Sequence, residues 1–126
     1  MKLRIKGNSL RLRVTPSEAK QLLRDGVVRE HVQLTANPED RLTYAVTSSL
    51  FGAVTTVAYQ LGNVTVCVPA IQLQKWAGGE EVGVYADIAL GDDQRLSVAI
   101  EKDFACLDQS DADNEDTFPH PNPAAC

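Results

Sequence analysis

Leu10-Arg11-Leu12-Arg13-Val14-Thr15-Pro16 opens a stretch, Leu10–Val46, that the chain writes twice. Displaced by 54 residues without a gap, Leu10-x-Leu12-x-Val14 falls on Val64-x-Val66-x-Val68. Ala19, Leu22 and Leu23 fall on Leu73, Trp76 and Ala77, Val28 falls on Val82, and Leu34 on Ile88. At the far end Arg41-Leu42-Thr43-x-Ala45-Val46 falls on Arg95-Leu96-Ser97-x-Ala99-Ile100. Identities are few, but the matches keep one register across 37 positions. With one residue of slippage Gly7-Asn8 also meets Gly62-Asn63. Such self-similarity is the mark of a doubled supersecondary unit that buries its apolar face against its twin.

Each copy reads as two strands, a helix and two strands. Lys2–Lys6 alternates charge with hydrophobe, and Gly7-Asn8 supplies turn residues for a hairpin into Ser9–Val14. Leu10, Leu12 and Val14 then share one face and Arg11 and Arg13 the other. Thr15-Pro16-Ser17-Glu18 predicts a helix start with a capping box, and Gly26 a left-handed stop. Val27–Thr35 and Arg41–Thr47 follow as strands, the first with Val28, Val32 and Leu34 inward and Arg29, His31 and Gln33 outward. Ser48–Gly52 is a small-residue junction. The second copy runs through strands Thr55–Leu61 and Val64–Val68, helix Pro69–Ala77, and strands Val82–Leu90 and Arg95–Glu101. Trp76 lies on the buried stripe of that helix and reads as core. The expected fold is α+β: a duplicated ββαββ unit forming a curved antiparallel eight-stranded sheet or barrel with both helices outside. Residues 1–105 form one domain of two repeats, 1–52 and 53–105, and 106–126 an acidic, proline-containing tail.

Composition bounds the function without naming it. The chain has 126 residues, 44% of them apolar and 23% charged, as in an ordinary globular domain. No run approaches the roughly 18–20 apolar residues of a membrane-spanning helix, and the first residues lack the apolar block of a secretory signal. A cytoplasmic location is the expectation. Cys67, Cys106 and Cys126 are too few, and odd in number, for a disulfide framework. A Cys106–Cys126 bridge, or a soft-metal set of Cys106, His120 and Cys126 completed by Cys67 or a carboxylate, stays open. Their spacing matches no close Cys-x-x-Cys pair, so incidental cysteines are the reading preferred. The acidic run Asp108–Asp116 lacks the mid-loop glycine of a calcium hand and reads as a solvated tail.

The net charge of −5 conceals two blocks. Residues 1–41 carry nine Lys/Arg against five Asp/Glu, whereas residues 80–126 carry two against twelve. Alternation puts Lys2, Arg4, Lys6, Arg11, Arg13 and Arg29 opposite the apolar faces of their strands, with Arg41 nearby and His31 beside Arg29. Neighbouring strands would gather these cations into one basic concave face, a candidate site for an anionic small molecule or an acidic protein segment. The plainer reading is a solvated sheet face whose charges discourage edge pairing. No aromatic residues interleave the cations, which disfavours nucleic acid. His31 could serve as a general base, but no motif sets a serine or cysteine beside it. The sequence names no catalytic residue, metal set or cofactor.

Two resemblances add to this reading. The doubled element order resembles the triphosphate tunnel fold, a duplicated eight-stranded barrel whose Glu-x-Glu-x-Lys strand holds a catalytic metal. Here the corresponding strand is Lys2-x-Arg4-x-Lys6, so the resemblance implies the architecture rather than metal-dependent hydrolysis. Across nearly its whole length the chain also resembles a family of small bacterial proteins with no assigned activity. Lys2-Leu3-Arg4-Ile5-Lys6-Gly7-Asn8-Ser9-Leu10-Arg11-Leu12-Arg13, Glu101-Lys102-Asp103-Phe104-Ala105-Cys106-Leu107 and the Phe-Pro-x-Pro element at Phe118–Pro121 carry that likeness. The expected function is therefore a non-catalytic binding or regulatory module, with a hydrolase or transferase of phosphorylated substrates as the alternative.

Overall fold

The computed structural model describes residues 1–105, 115–119 and 121. Its order is β1 (Lys2–Ile5), β2 (Ser9–Val14), α1 (Pro16–Asp25), β3 (Val27–Gln33), β4 (Arg41–Ser49), β5 (Thr56–Gln60), β6 (Asn63–Pro69), α2 (Ala70–Ala77), β7 (Gly83–Gly91) and β8 (Gln94–Lys102). The element order ββαββ thus occurs twice, in an α+β fold.

The strands do not join one antiparallel sheet. They form two four-stranded sheets, ordered β1-β2-β8-β7 and β3-β4-β6-β5. Each sheet marries a hairpin from one half of the chain to a hairpin from the other. The hairpins are antiparallel, as short turns require, but the joins are parallel: β2 with β8 and β4 with β6. Among the described residues neither sheet closes, so the expected barrel gives way to two curved sheets with open edges. A parallel join between strands far apart in sequence leaves no local signature, whereas hairpin turns do.

The two joins share one register. Ser9 pairs with Ser97, and Asn63 with Thr43, which are the same two positions exchanged by 54 residues. The hairpins β1–β2 and β5–β6 agree likewise, Leu3 facing Leu12 and Val57 facing Val66, with no slippage at their turns. β3 and β7 depart from this offset. Val28 pairs with Val46, and Val84, not Val82, pairs with Ile100. Val28 therefore corresponds to Val84 and Val32 to Ile88, at an offset of 56, because the link after α2 is longer than the single Gly26 after α1.

Helix α1 forms as its sequence dictates. Thr15 caps it, Glu18 completes the capping box, and Gly26 ends it in the left-handed region at φ 78°. Helix α2 starts one residue later than expected, with Pro69 as an N-cap lacking a side-chain bond, and ends at Gly78 in a right-handed conformation. The helices touch each other, α1 leaning on β3 and β4, and α2 on β4, β6 and β7. Leu22 and Trp76 meet Leu12, Val14, Val46, Val66, Val68 and Ile100 in one core drawn from both sheets. Trp76 is fully buried, and its indole Nε1 donates to the Val82 carbonyl at 3.2 Å. Val32 and Leu34, expected inside, are 45% and 64% exposed.

Candidate functional site

The outer face of the first sheet carries the odd-numbered residues of β2, β7 and β8 and the even-numbered cations of β1. Register sets Lys2 opposite Arg13 and Arg4 opposite Arg11, two cross-strand pairs of like charge. Such pairs repel unless carboxylates separate them. β8 and the residue after it supply two. Asp103, almost fully buried, takes Lys2 Nζ at 3.1 Å. Glu101 takes Arg11 Nε at 3.0 Å through one oxygen and accepts the Tyr85 hydroxyl at 2.9 Å through the other. Burial first, then Glu101, pushes the Tyr85 hydroxyl above its ordinary pKa. Across the sheet Asp87 meets Arg95 at 3.4 Å. Among the described residues Arg4, Lys6 and Arg13 have no ion pair.

Arg4 and Lys6 project into a groove of about 540 Å³ on this face. Arg11 joins them on one side, Tyr85 and Asp87 stand on the other, and Ser9, Ser97 and Ala99 lie between. The small residues of the central strands make the floor, and the long side chains of the outer strands make the walls. The Tyr85 ring lies over Gly83, two residues earlier on β7: a Cβ there would lie 2.6 Å from the tyrosine oxygen, so only glycine admits this ring position. The groove is large enough for a small ligand and offers two cations that no described residue compensates, with hydroxyls nearby.

Of the sequence-predicted set, Lys2, Arg4, Lys6, Arg11 and Arg13 share this face. Arg29, His31 and Arg41 do not, because β3 and β4 belong to the second sheet. There Arg29 faces Ala45 and His31 faces Thr43. The positions equivalent to Arg4 and Arg11 hold Ala58 and Thr65, so the second outer face lacks that cluster and carries Arg29, His31 and Arg41 on β3 and β4 instead. Tyr85, Asp87, Ser9 and Ser97 were not singled out from sequence. Alternation puts them on outer faces, but nothing local says that β7 and β8 join β2.

The segments that carry the family resemblance touch one another. Lys2 and Arg11 bind Asp103 and Glu101 as above. Phe118 pairs with Phe104 through a parallel bridge, Ala105 N donating to Phe118 O and Phe118 N to Asp103 O, both at 2.7 Å. The two rings meet edge to face at 6.2 Å, and Lys102 Nζ, held by the Gly79 carbonyl at 2.8 Å, lies 5.3 Å from the Phe118 ring centre. Asp116 accepts from the Ser17 amide and hydroxyl at the first turn of α1, which holds its carboxyl below the usual range. The described part of the tail is thus anchored by Phe118, and it sits at the end of β8 and the start of α1. Cys106, His120, Cys126 and the acidic residues Asp108, Asp111 and Asp113 lie outside the described residues.

Beside this anchor the partly buried Met1 ammonium binds Glu18 Oε2 at 2.5 Å and Glu30 Oε1 at 2.7 Å. The Tyr44 hydroxyl lies 3.3 Å from both Glu30 and the Met1 carbonyl. Among the described residues no three His, Cys, Asp or Glu side chains cluster to hold a metal, and no helix is long and apolar enough to cross a membrane. Cys67 is a free thiol on the second sheet.

No curated protein and no solved structure matches the chain. One family does, over residues 1–122, including all three resemblance segments. The protein belongs to that family, the family of unknown function DUF7009.

Proposed function

We propose that the protein is a non-catalytic binding module whose first sheet receives an anionic ligand, phosphate-bearing or carboxylate-bearing, in the groove beside β1. One observation carries this reading: among the described residues Arg4 and Lys6 line the groove without a counter-ion, while Lys2 and Arg11 beside them are neutralised by Asp103 and Glu101. Two adjacent cations left unpaired repel each other, and an anion between them relieves that cost while making charge-assisted hydrogen bonds. The groove carboxylate Asp87 is engaged by Arg95, and the flanking Glu101 by Arg11 and Tyr85, which favours binding over the alternative of phosphoryl hydrolysis or transfer. On this reading the chain is a duplicated ββαββ unit in which one of two equivalent outer faces carries the cation cluster of β1 and β2. Sparse cysteines support a cytoplasmic setting.

A thermal-shift series with inorganic phosphate, pyrophosphate and a tricarboxylate, each with and without a divalent metal, tests the proposal. The expected result is a metal-independent stabilisation that fades with salt. It should be lost in Arg4→Ala/Lys6→Ala, with affinity falling about 10–100-fold as two charged hydrogen-bond donors disappear. Arg29→Ala, on the other sheet, should leave it intact. Stabilisation that survives the double substitution would refute the assignment, and metal-dependent turnover of a phosphorylated compound would favour the enzyme.

A further inference from the structure

We infer that the end of the molecule remote from the helices is where two copies of this chain associate. The helices pack on β3, β4, β6 and β7, and the buried residues Val14, Val28, Val68, Val84 and Ile100 lie toward the strand ends that join them. At the opposite end, where the turns β1–β2, β3–β4, β5–β6 and β7–β8 lie, the same inner rows run on as apolar side chains without cover. Ile5 is 61% exposed, Tyr59 71%, Val32 45%, Leu34 64% and Leu90 52%. By register Ile5 is the counterpart of Tyr59 and Val32 that of the half-buried Ile88, while Leu34 and Leu90 follow Val32 and Ile88 toward the turns.

Single exposed hydrophobes are commonplace, but a row of them continuing a core is not. The exposed fractions amount to about three whole side chains, on the order of 500 Å² of apolar surface, the size of the largest patch on a monomer, which is often a functional one. With its polar rim such a face approaches the roughly 800 Å² that each partner gives to a stable interface.

The occupant that fits is a second copy. A face whose two halves match presents similar apolar surfaces on both sides of its centre, which suits an isologous contact. Its rim is also self-complementary in charge. Acidic turns, Glu39-Asp40 and Asp92-Asp93, alternate with Arg41 and Arg95 at the starts of β4 and β8. A copy turned about the contact sets the acidic turns of one chain over the arginines of the other.

Sedimentation equilibrium of the full chain, with Leu34→Asp/Tyr59→Asp alongside, tests this. The expected result is a dimer that the double substitution weakens at least about tenfold, while the dilute variant keeps its far-ultraviolet spectrum. A chain that stays monomeric at millimolar concentration would overturn the inference, and so would a dimer indifferent to these changes. Should the variant misfold, hydrogen exchange of the unmodified chain decides. Amides of Ile5, Val32 and Tyr59 should exchange more slowly as concentration rises, and exchange independent of concentration would overturn it.

Discussion

The Met1 ammonium and Glu18 form the pair in this molecule that is most exposed to pH. Burial alone would lower the pKa of Met1 and raise that of Glu18, but their mutual bond, helped by Glu30 and Thr15, wins for both groups. Met1 ends above its ordinary 8.0 and Glu18 below its ordinary 4.5. The ammonium's contribution to stability is full below pH 8.0 and is lost as pH rises through the raised value. The carboxylate's contribution is full above pH 4.5 and is lost as pH falls through the lowered value. The pair therefore stabilises the fold most between those limits. Glu18→Gln should cost about 1 kcal/mol near neutrality, since a partly buried ammonium loses one of its two charged partners. It should also flatten the dependence of the melting midpoint on pH, and melts of both proteins across pH check this. Gly83 has a quieter role. Gly83→Ala should displace the Tyr85 ring and break its bond to Glu101, returning the tyrosine pKa toward its ordinary 10.0. Ultraviolet titration of the phenol reads that change, and an unmoved titration would contradict it.

Trp76 ties helix α2 to both sheets, being fully buried and bonded to Val82 as well. Trp76→Ala should cost about 3–5 kcal/mol in urea denaturation, and a midpoint near that of the unmodified chain would contradict the packing described. The elements themselves were legible because their signals are local. The Thr15–Glu18 box, the Gly26 stop and the alternation of β2 survive intact in the structure. The register of β7 was not legible, and the reason lies in strand geometry. The longer link after α2 shifts β7 by two residues relative to β3, and a shift of two restores every side chain to the same face. A gapless comparison therefore still lays Val28 on an apolar Val82, although the structural counterpart is Val84. Val32 and Leu34 misled for another reason. Alternation shows which face a residue takes, but not that the helices cover only one end of that face.

The charge asymmetry of the whole chain becomes intelligible once the sheets are seen to exchange hairpins. The basic β1–β2 hairpin lies beside β8 of the other half, whose Glu101, with Asp103 just beyond it, neutralises part of it. Five of the eight proposed cationic and imidazole residues meet on one face, while Arg29 and His31 on β3 and Arg41 on β4 are carried to the other sheet. That division was invisible in sequence, because parallel joins between distant strands obey no turn chemistry. What remains after the pairing among the described residues is a groove with Arg4 and Lys6 unspent. Mapping amide chemical shifts during titration with pyrophosphate tests this most directly. The account predicts shifts confined to Arg4, Lys6, Ser9, Arg11, Ser97 and Tyr85, saturating together and abolished by Arg4→Ala/Lys6→Ala. Shifts centred on Arg29 and His31, or none in the groove at saturating pyrophosphate, would contradict it.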